Sequence, residues 1–236
     1  MPSITAPQPV SPDAPPSGDP PELSNGSITL QDTDVSGETT DERLVELFRE
    51  GDASAFDTLM TRYHREVFHF LIRFMGNRAA AEDVFQDTFL QISQSADGFD
   101  TSRRFRPWMF TIAANKARDH LRSANRRKAA PLNASIGGKT GEGEYVDLME
   151  ADTPDADESM QKAELQEAVQ QTVMAMPDHL REILLLSYFH QFPYKQIGTI
   201  LGIPLGTVKS RLHAAVAHFA DRWKAQGRGP LSLDGI

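Results

Sequence analysis

The chain has 236 residues, a net charge of −9 and no cysteine. That length accommodates two small domains, and the lack of cysteine excludes a disulfide scaffold, a thiolate metal site and a thiol nucleophile. The most apolar windows, Val67 to Met75 and Ile183 to Phe189, are too short to cross a bilayer. No Lys or Arg precedes Arg43, and no long apolar run follows Met1, so a secretory signal is not expected. The expectation is a soluble, cytoplasmic protein without membrane insertion.

The acidic balance hides a basic patch. Residues 1–40 hold six acids and no bases, and residues 131–162 hold eight acids and two bases. Residues 100–128, by contrast, hold nine Lys or Arg against two Asp, a net +7. A cationic segment inside an acidic chain is the electrostatic footprint expected of nucleic-acid contact.

Residues 1–40 are rich in Pro, Ser, Gly and Asp and lack a sustained apolar period. Such a segment buries too little surface to offset the entropy of ordering, so it reads as a disordered tail. From residue 41 to 128 the pattern is helical. Phe56, Leu59, Met60, Tyr63, Val67, Phe70, Leu71 and Phe74 recur at steps of mainly three and four, the stripe of an amphipathic helix. Gly76 is the expected stop and Asn77 the expected N-cap of the next helix. That helix carries Ala81, Val84, Phe85, Thr88, Phe89 and Ile92 inward. A loop from Gln94 to Arg106 follows, and a third helix is expected to start at Pro107 and run to about Ser123. Residues 129–159, with four glycines and many acids, read as a flexible acidic linker.

Helical pattern returns over 160–226, with a short tail at 227–236. A helix from Gln161 to Met176 meets Pro177. A second covers Asp178 to about His190, with Leu180, Ile183, Leu184 and Tyr188 inward. Tyr194 to Leu201 forms a short helix ending at Gly202, a left-handed cap. The last helix begins between Pro204 and Thr207 and carries Val208, Leu212, Ala215, Val216 and Phe219 inward. No strand pattern of useful length appears. The fold class is all-α, with two small helical domains.

Three constellations carry chemistry. Tyr194 to Leu212, YKQIGTILGIPLGTVKSRL, reads as a helix-turn-helix: Gly198 permits close helix approach, Ile203 fills the turn, and Val208 and Leu212 anchor the second helix. Thr207, Lys209, Ser210, Arg211 and His213 then occupy faces available to a duplex. Lys209 and Arg211 suit phosphates or guanine edges, and Ser210 can donate or accept at a base. Phe105 to Lys128, FRPWMFTIAANKARDHLRSANRRK, places Thr111, Asn115, Arg118, Asp119 and Arg122 on one polar stripe, while Ile112, Ala113, Ala117 and Leu121 face the core. Amide and basic groups beside aromatic residues suit single-stranded DNA, with Trp108 read chiefly as core. Ala81 to Leu90, AEDVFQDTFL, is amphipathic and exposes Glu82, Asp83, Gln86 and Asp87. No metal pattern, phosphate-cradling glycine loop or catalytic set stands out, so no enzyme activity, metal or cofactor is expected.

In this order, AEDVFQDTFL, FRPWMFTIAANKARDHLR and IGTILGIPLGTVKSRLHAAV resemble the three hallmark stretches of extracytoplasmic-function (ECF) sigma factors, the small bacterial factors that give RNA polymerase its promoter specificity. The resemblance covers about residues 41–128 and 160–222. It implies a region 2-like bundle and a region 4-like helix-turn-helix. Glu82, Asp83, Gln86 and Asp87 would bind the clamp helices of the largest polymerase subunit. Asn115, Lys116, Arg118, Asp119 and Arg122 would serve −10 recognition and melting, with Asn115 and Asp119 at base-reading positions and the loop from Gln94 to Arg106 as a specificity loop. Thr207, Lys209, Ser210, Arg211 and His213 would read the −35 element, while the second domain rests on the flap of the other large subunit. Partners implied are RNA polymerase core, promoter DNA in duplex and single-stranded form, and an anti-sigma protein, in a stress or envelope response. Ala214 stands where some relatives carry a basic residue. Two other readings of the same residues are a stand-alone helix-turn-helix activator and a sigma-like adaptor that sequesters a regulatory protein.

Overall fold

The computed structural model describes residues 39–129 and 156–227, and every described residue is helix, turn or loop. The acidic tail before residue 39, residues 130–155 of the expected linker and the end of the chain lie outside the described residues. The helices are α1 (Asp41–Arg49), α2 (Ala53–Met75), α3 (Arg78–Ser95), α4 (Phe105–Ala129), α5 (Ala156–Met174), α6 (Asp178–Leu184), α7 (Tyr194–Leu201) and α8 (Leu205–Ala225). A single 3₁₀ turn, Ala96–Gly98, follows α3, and a π-helical segment, Leu185–Phe189, continues α6.

Local chemistry sets the ends of the first helices. The Asp52 carboxylate accepts the Ser54 N–H (2.9 Å) at the start of α2, and the Asn77 side chain accepts the Ala80 N–H (2.9 Å) at the start of α3. Gly76 ends α2 in the left-handed region, as expected. The stripe of α2 is buried through Leu59, Tyr63, Val67, Phe70, Leu71 and Phe74. Met60 departs from the expectation: one residue step from Leu59, it lies at the edge of the stripe and is 37% exposed.

Helix α4 starts at Phe105 rather than Pro107, because the Glu42 carboxylate of α1 accepts the Phe105 N–H (2.8 Å) and caps the helix there. Pro107 still lies within the first turn, where its missing N–H removes no intrahelical bond. The helix also continues past Ser123 to Ala129, through an Arg- and Ala-containing tract of good helix propensity. Ala113, Ala114 and Ala117 are fully buried, so α4 lies close against its neighbours. Helix α5 begins at Ala156, inside the stretch expected to be linker.

The second domain packs Ile183, Leu185, Leu186, Ile197, Val208 and Leu212 together. Tyr188, expected inward, is 44% exposed. The chain widens into the π-helical segment after Leu184, which rotates later side chains away from the α-helical progression.

The two domains meet along a seam built on two arginines. Arg181 of α6, buried, donates to the carbonyl oxygens of Phe74 (2.5 Å), Met174 (2.9 Å) and Met176 (2.9 Å). It thereby satisfies acceptors at the C-terminal ends of α2 and α5, which lack intrahelical donors and carry partial negative charge. Arg106 of α4 donates to the Glu66 carboxylate (Nε to Oε1, 3.0 Å) and to the His190 carbonyl (2.8 Å), and its guanidinium lies 4.0 Å from the centre of the Phe192 ring.

Candidate nucleic-acid interface

The helix-turn-helix is built as its residues predict. Ile197, Ile200 and Leu201 of α7 and Val208, Leu212 and Ala215 of α8 are buried. Gly202 takes φ 66°, the left-handed cap that ends α7. A Cβ on Gly198 would lie 3.0 Å from the Ile203 carbonyl oxygen, so a side chain there would force the turn to give by a few tenths of an ångström. With the apolar side underneath, Lys209, Ser210 and His213 are exposed, and Thr207 and Arg211 are half-buried. The Ser210 hydroxyl donates back to the Thr207 carbonyl (3.2 Å). Val216, expected inward, is 40% exposed, seven residues on from Lys209 and so on the same outer face of α8.

Helix α4 presents the second set. Asn115, Asp119 and Arg122 are exposed, and Lys116 and Arg118 are half-buried. Asp119 and Arg122 pair across one turn at 3.2 Å, an exposed contact that a polyanion can displace. Arg118 is more constrained: it donates to the Asn115 side chain (2.5 Å) and to the Ala114 carbonyl (3.2 Å), and its Nε lies 3.6 Å from Glu182 of α6. Trp108 packs on Phe99 (ring centres 4.6 Å apart) and Phe105 (5.8 Å), which is core packing. Ahead of α4, Phe99 is buried while Ser102, Arg103 and Arg104 are exposed. Asp100 accepts from the Ser102 hydroxyl (2.6 Å) and backbone N–H (3.1 Å), bonds that hold its carboxyl below its ordinary pKa. On α3, Glu82, Asp83, Gln86 and Asp87 are all exposed, with Glu82 paired to Arg78 at 3.1 Å.

Two functional-looking groups are not found by sequence reading. Glu182, 3% exposed, lies near Arg118 of α4 and Arg211 of α8, a cation of each expected DNA-contacting set. Burial raises its pKa, and those two guanidinium groups pull the other way. The only signal was a charged pair, Arg181-Glu182, inside the apolar run Leu180 to Leu186, where buried charge requires partners. The second group is Glu66. Burial pushes its carboxyl up, but hydrogen bonds from His190 and Arg106, with the charge of Arg106, prevail and bring it down to about 2. His190 is buried, and burial lowers its pKa.

The family model "Sigma-70 region 2" matches residues 59–127, and "Sigma-70, region 4" matches residues 166–219. The chain is 32% identical over 165 residues to the ECF RNA polymerase sigma factor SigW of Bacillus subtilis, a match spanning 70% of this chain and 87% of that one. It is 35% identical over 175 residues to the RNA polymerase sigma factor CarQ of Myxococcus xanthus, spanning 72% and 89%. Among solved structures it shares the fold of CnrH, captured in complex with the cytosolic domain of CnrY. That likeness has a TM-score of 0.56 at 21% identity and covers 79% of this chain and 99% of that one.

Proposed function

The chain belongs to the extracytoplasmic-function family of RNA polymerase sigma factors, and we propose how its two domains direct the polymerase core to promoters. The observation that carries the reading is the pairing of two outward polar and basic faces. One lies on α4 of the region 2 segment and one on α8 of the region 4 segment, each backed by a buried apolar side.

In this reading the N-terminal half of α8 enters the major groove of the −35 element. Lys209 and Arg211 neutralise phosphates or read guanine, and Thr207, Ser210 and His213 contact neighbouring groups. On α4, Asn115 and Asp119 engage unpaired −10 bases while Lys116, Arg118 and Arg122 follow the backbone. Melting costs stacking and pairing, and capture of the released bases offsets that cost. Glu82, Asp83, Gln86 and Asp87 hold the first domain to the clamp helices of the largest polymerase subunit, and the second domain rests on the flap. Tethering both domains to one enzyme raises their effective concentration at two adjacent DNA elements, so neither needs high affinity alone. The chain performs no catalysis itself, works in the cytoplasm, and has an anti-sigma protein as its inhibitor.

Run-off transcription with purified core polymerase on a promoter library tests this. The expected outcome is initiation from a restricted set sharing a −10 and a −35 element. Failure to associate with the core enzyme, or to direct any initiation, overturns the assignment. Asn115→Ala is expected to reduce opening at −10 more than binding at −35. A permanganate footprint with normal melting would remove Asn115 from that role.

A further inference from the structure

The loop between α3 and α4 has little of its own to hold it. Beyond the single 3₁₀ turn it contains the Asp100–Ser102 turn, an Arg103 N–H to Asp100 carbonyl bond (2.9 Å) and one buried anchor, Phe99. Besides the packing of Phe99 on Phe105 and Trp108, its long-range polar contacts come from α1, a helix that precedes the matched region 2 segment at residue 59.

Three charged residues of α1, at positions 42, 46 and 49, share one helix face because they are four and three residues apart. Each reaches a different point of the loop, in antiparallel order. Glu42 accepts the Phe105 N–H (2.8 Å) where the loop re-enters helix. Glu46, paired with Arg43 at 3.0 Å, lies near the Thr101 side chain at its middle. Arg49 donates through Nε to the Ala96 carbonyl (2.7 Å) and through Nη2 to the carbonyls of Ala96 and Phe99 at its start.

The helix is itself fixed. Leu44 and Val45 are buried, and Asp41 pairs with Arg62 and accepts the Tyr63 hydroxyl of α2. Bonds from charged groups to backbone are the stronger class of hydrogen bond, and here they fix the two helical ends of the loop and the Phe99 carbonyl between them.

We propose that Glu42, Glu46 and Arg49 of α1 are positioning residues that set the conformation of the α3–α4 loop, and thereby the selectivity of this factor for bases of the −10 element. The proposal rests on the reading of residues 94–106 as the specificity loop. The guanidinium fork of Arg49 bridges two carbonyls, which a lysine ammonium on a flexible stem does not reproduce. Its loss leaves the loop backbone free to sample alternatives while the folded domain remains.

The test uses the full-length protein with core polymerase and templates carrying each single-base change in the −10 element. Arg49→Lys and Glu46→Gln keep α1 helical and its apolar contacts intact. The ratio of transcription from the preferred sequence to that from substituted ones is expected to fall by about three- to tenfold in Arg49→Lys, the equivalent of one hydrogen bond of ordinary net strength. Capture of core polymerase is expected to be unchanged. Amide exchange at Phe99, Thr101 and Ser102 should accelerate, while exchange in α7 and α8 should not. A merely structural role would lower transcription from every template alike and leave the ratio intact, and that result overturns the proposal. A companion variant, Ser102→Ala with Arg103→Ala, separates the layers. If it shifts −10 selectivity while Arg49→Lys and Glu46→Gln do not, the brace is wrong and the loop reading stands. If the companion variant leaves selectivity unaltered as well, the loop reading itself falls.

Discussion

The two regions proposed to face DNA are held by opposite means. On α8 the polar side chains ride on a helix whose other side is apolar. Val208, Leu212 and Ala215 bury themselves against α7 and α6, and that packing aims Lys209, Ser210 and His213 outward. The α3–α4 loop has no repeating apolar side to bury. Its backbone is held by side chains from a helix some fifty residues earlier in the chain, with Arg49 on Ala96 and Phe99 and Glu42 on Phe105. A helix carries its own support within the hydrophobic period, whereas an irregular segment must borrow polar support from elsewhere in the fold. Damage to the first should therefore appear as lost stability, and damage to the second as lost discrimination.

The comparison can be broken most directly at α8. Leu212→Ala deletes a side chain that is 2% exposed and is expected to cost about 2–5 kcal/mol, with −35 recognition lost alongside. A denaturant titration that barely moves would mean the helix does not depend on its apolar underside. Arg106→Ala comes next, since Arg106 closes the loop side of α4 and also joins Glu66 to the His190 carbonyl. The loss expected is about 1–3 kcal/mol, for a partly buried carboxylate deprived of its guanidinium. Thermal unfolding of the purified variant measures it.

A smaller effect sharpens the contrast from the DNA side. Combined Lys209→Ala and Arg211→Ala should leave the helices formed, at a modest stability cost because Glu182 loses one of its nearby cations, and weaken promoter binding by the polymerase complex, with the log–log salt slope flattened by up to about two. An unchanged slope would mean that neither side chain meets a phosphate.

The mildest test is pH. Burial holds His190 below its ordinary value and holds His69 down at about 4, where the charges of Arg73 and Arg65 act in the same direction. His190 is faced by Glu66, Arg106 and Arg73. Groups depressed in this way contribute stability that is complete above the unfolded histidine value of 6.5 and lost as pH falls toward the folded one. Glu66 adds to the loss only lower, between the ordinary carboxylate value of 4.5 and about 2. Lowering pH from 7.5 to 5 is expected to remove about 1 kcal/mol, discounted because His69 is only half-buried. Urea midpoints at the two pH values measure it, and a midpoint that rises on acidification contradicts buried neutral histidines.

Much of the interface was legible because it is periodic. The Gly76 stop, the Asn77 cap, the limits of α7 and the left-handed Gly202 all follow from local residue chemistry, and the structure reproduces them. The expectation failed where a tertiary contact intervened. Helix α4 begins two positions before its proline because Glu42 caps Phe105 from another helix. Tyr188 turns outward because the chain after Leu184 leaves the α-helical progression. Helix α1 drew no functional reading, since a short charged helix has no distinctive pattern until its partners are known.

The sequence alone therefore determined most of the helical segments, their turns and the core of their apolar faces, because those depend chiefly on neighbours within a few residues. Only the tertiary structure decided what the polar groups do across long separations. It set Arg49 against the loop carbonyls, Arg181 at the ends of two helices, and Arg118 and Arg211 toward one buried glutamate. Hydrophobic periodicity reports which side is buried, but a long flexible cation has many acceptors within reach, and the folded backbone alone brings one of them to it.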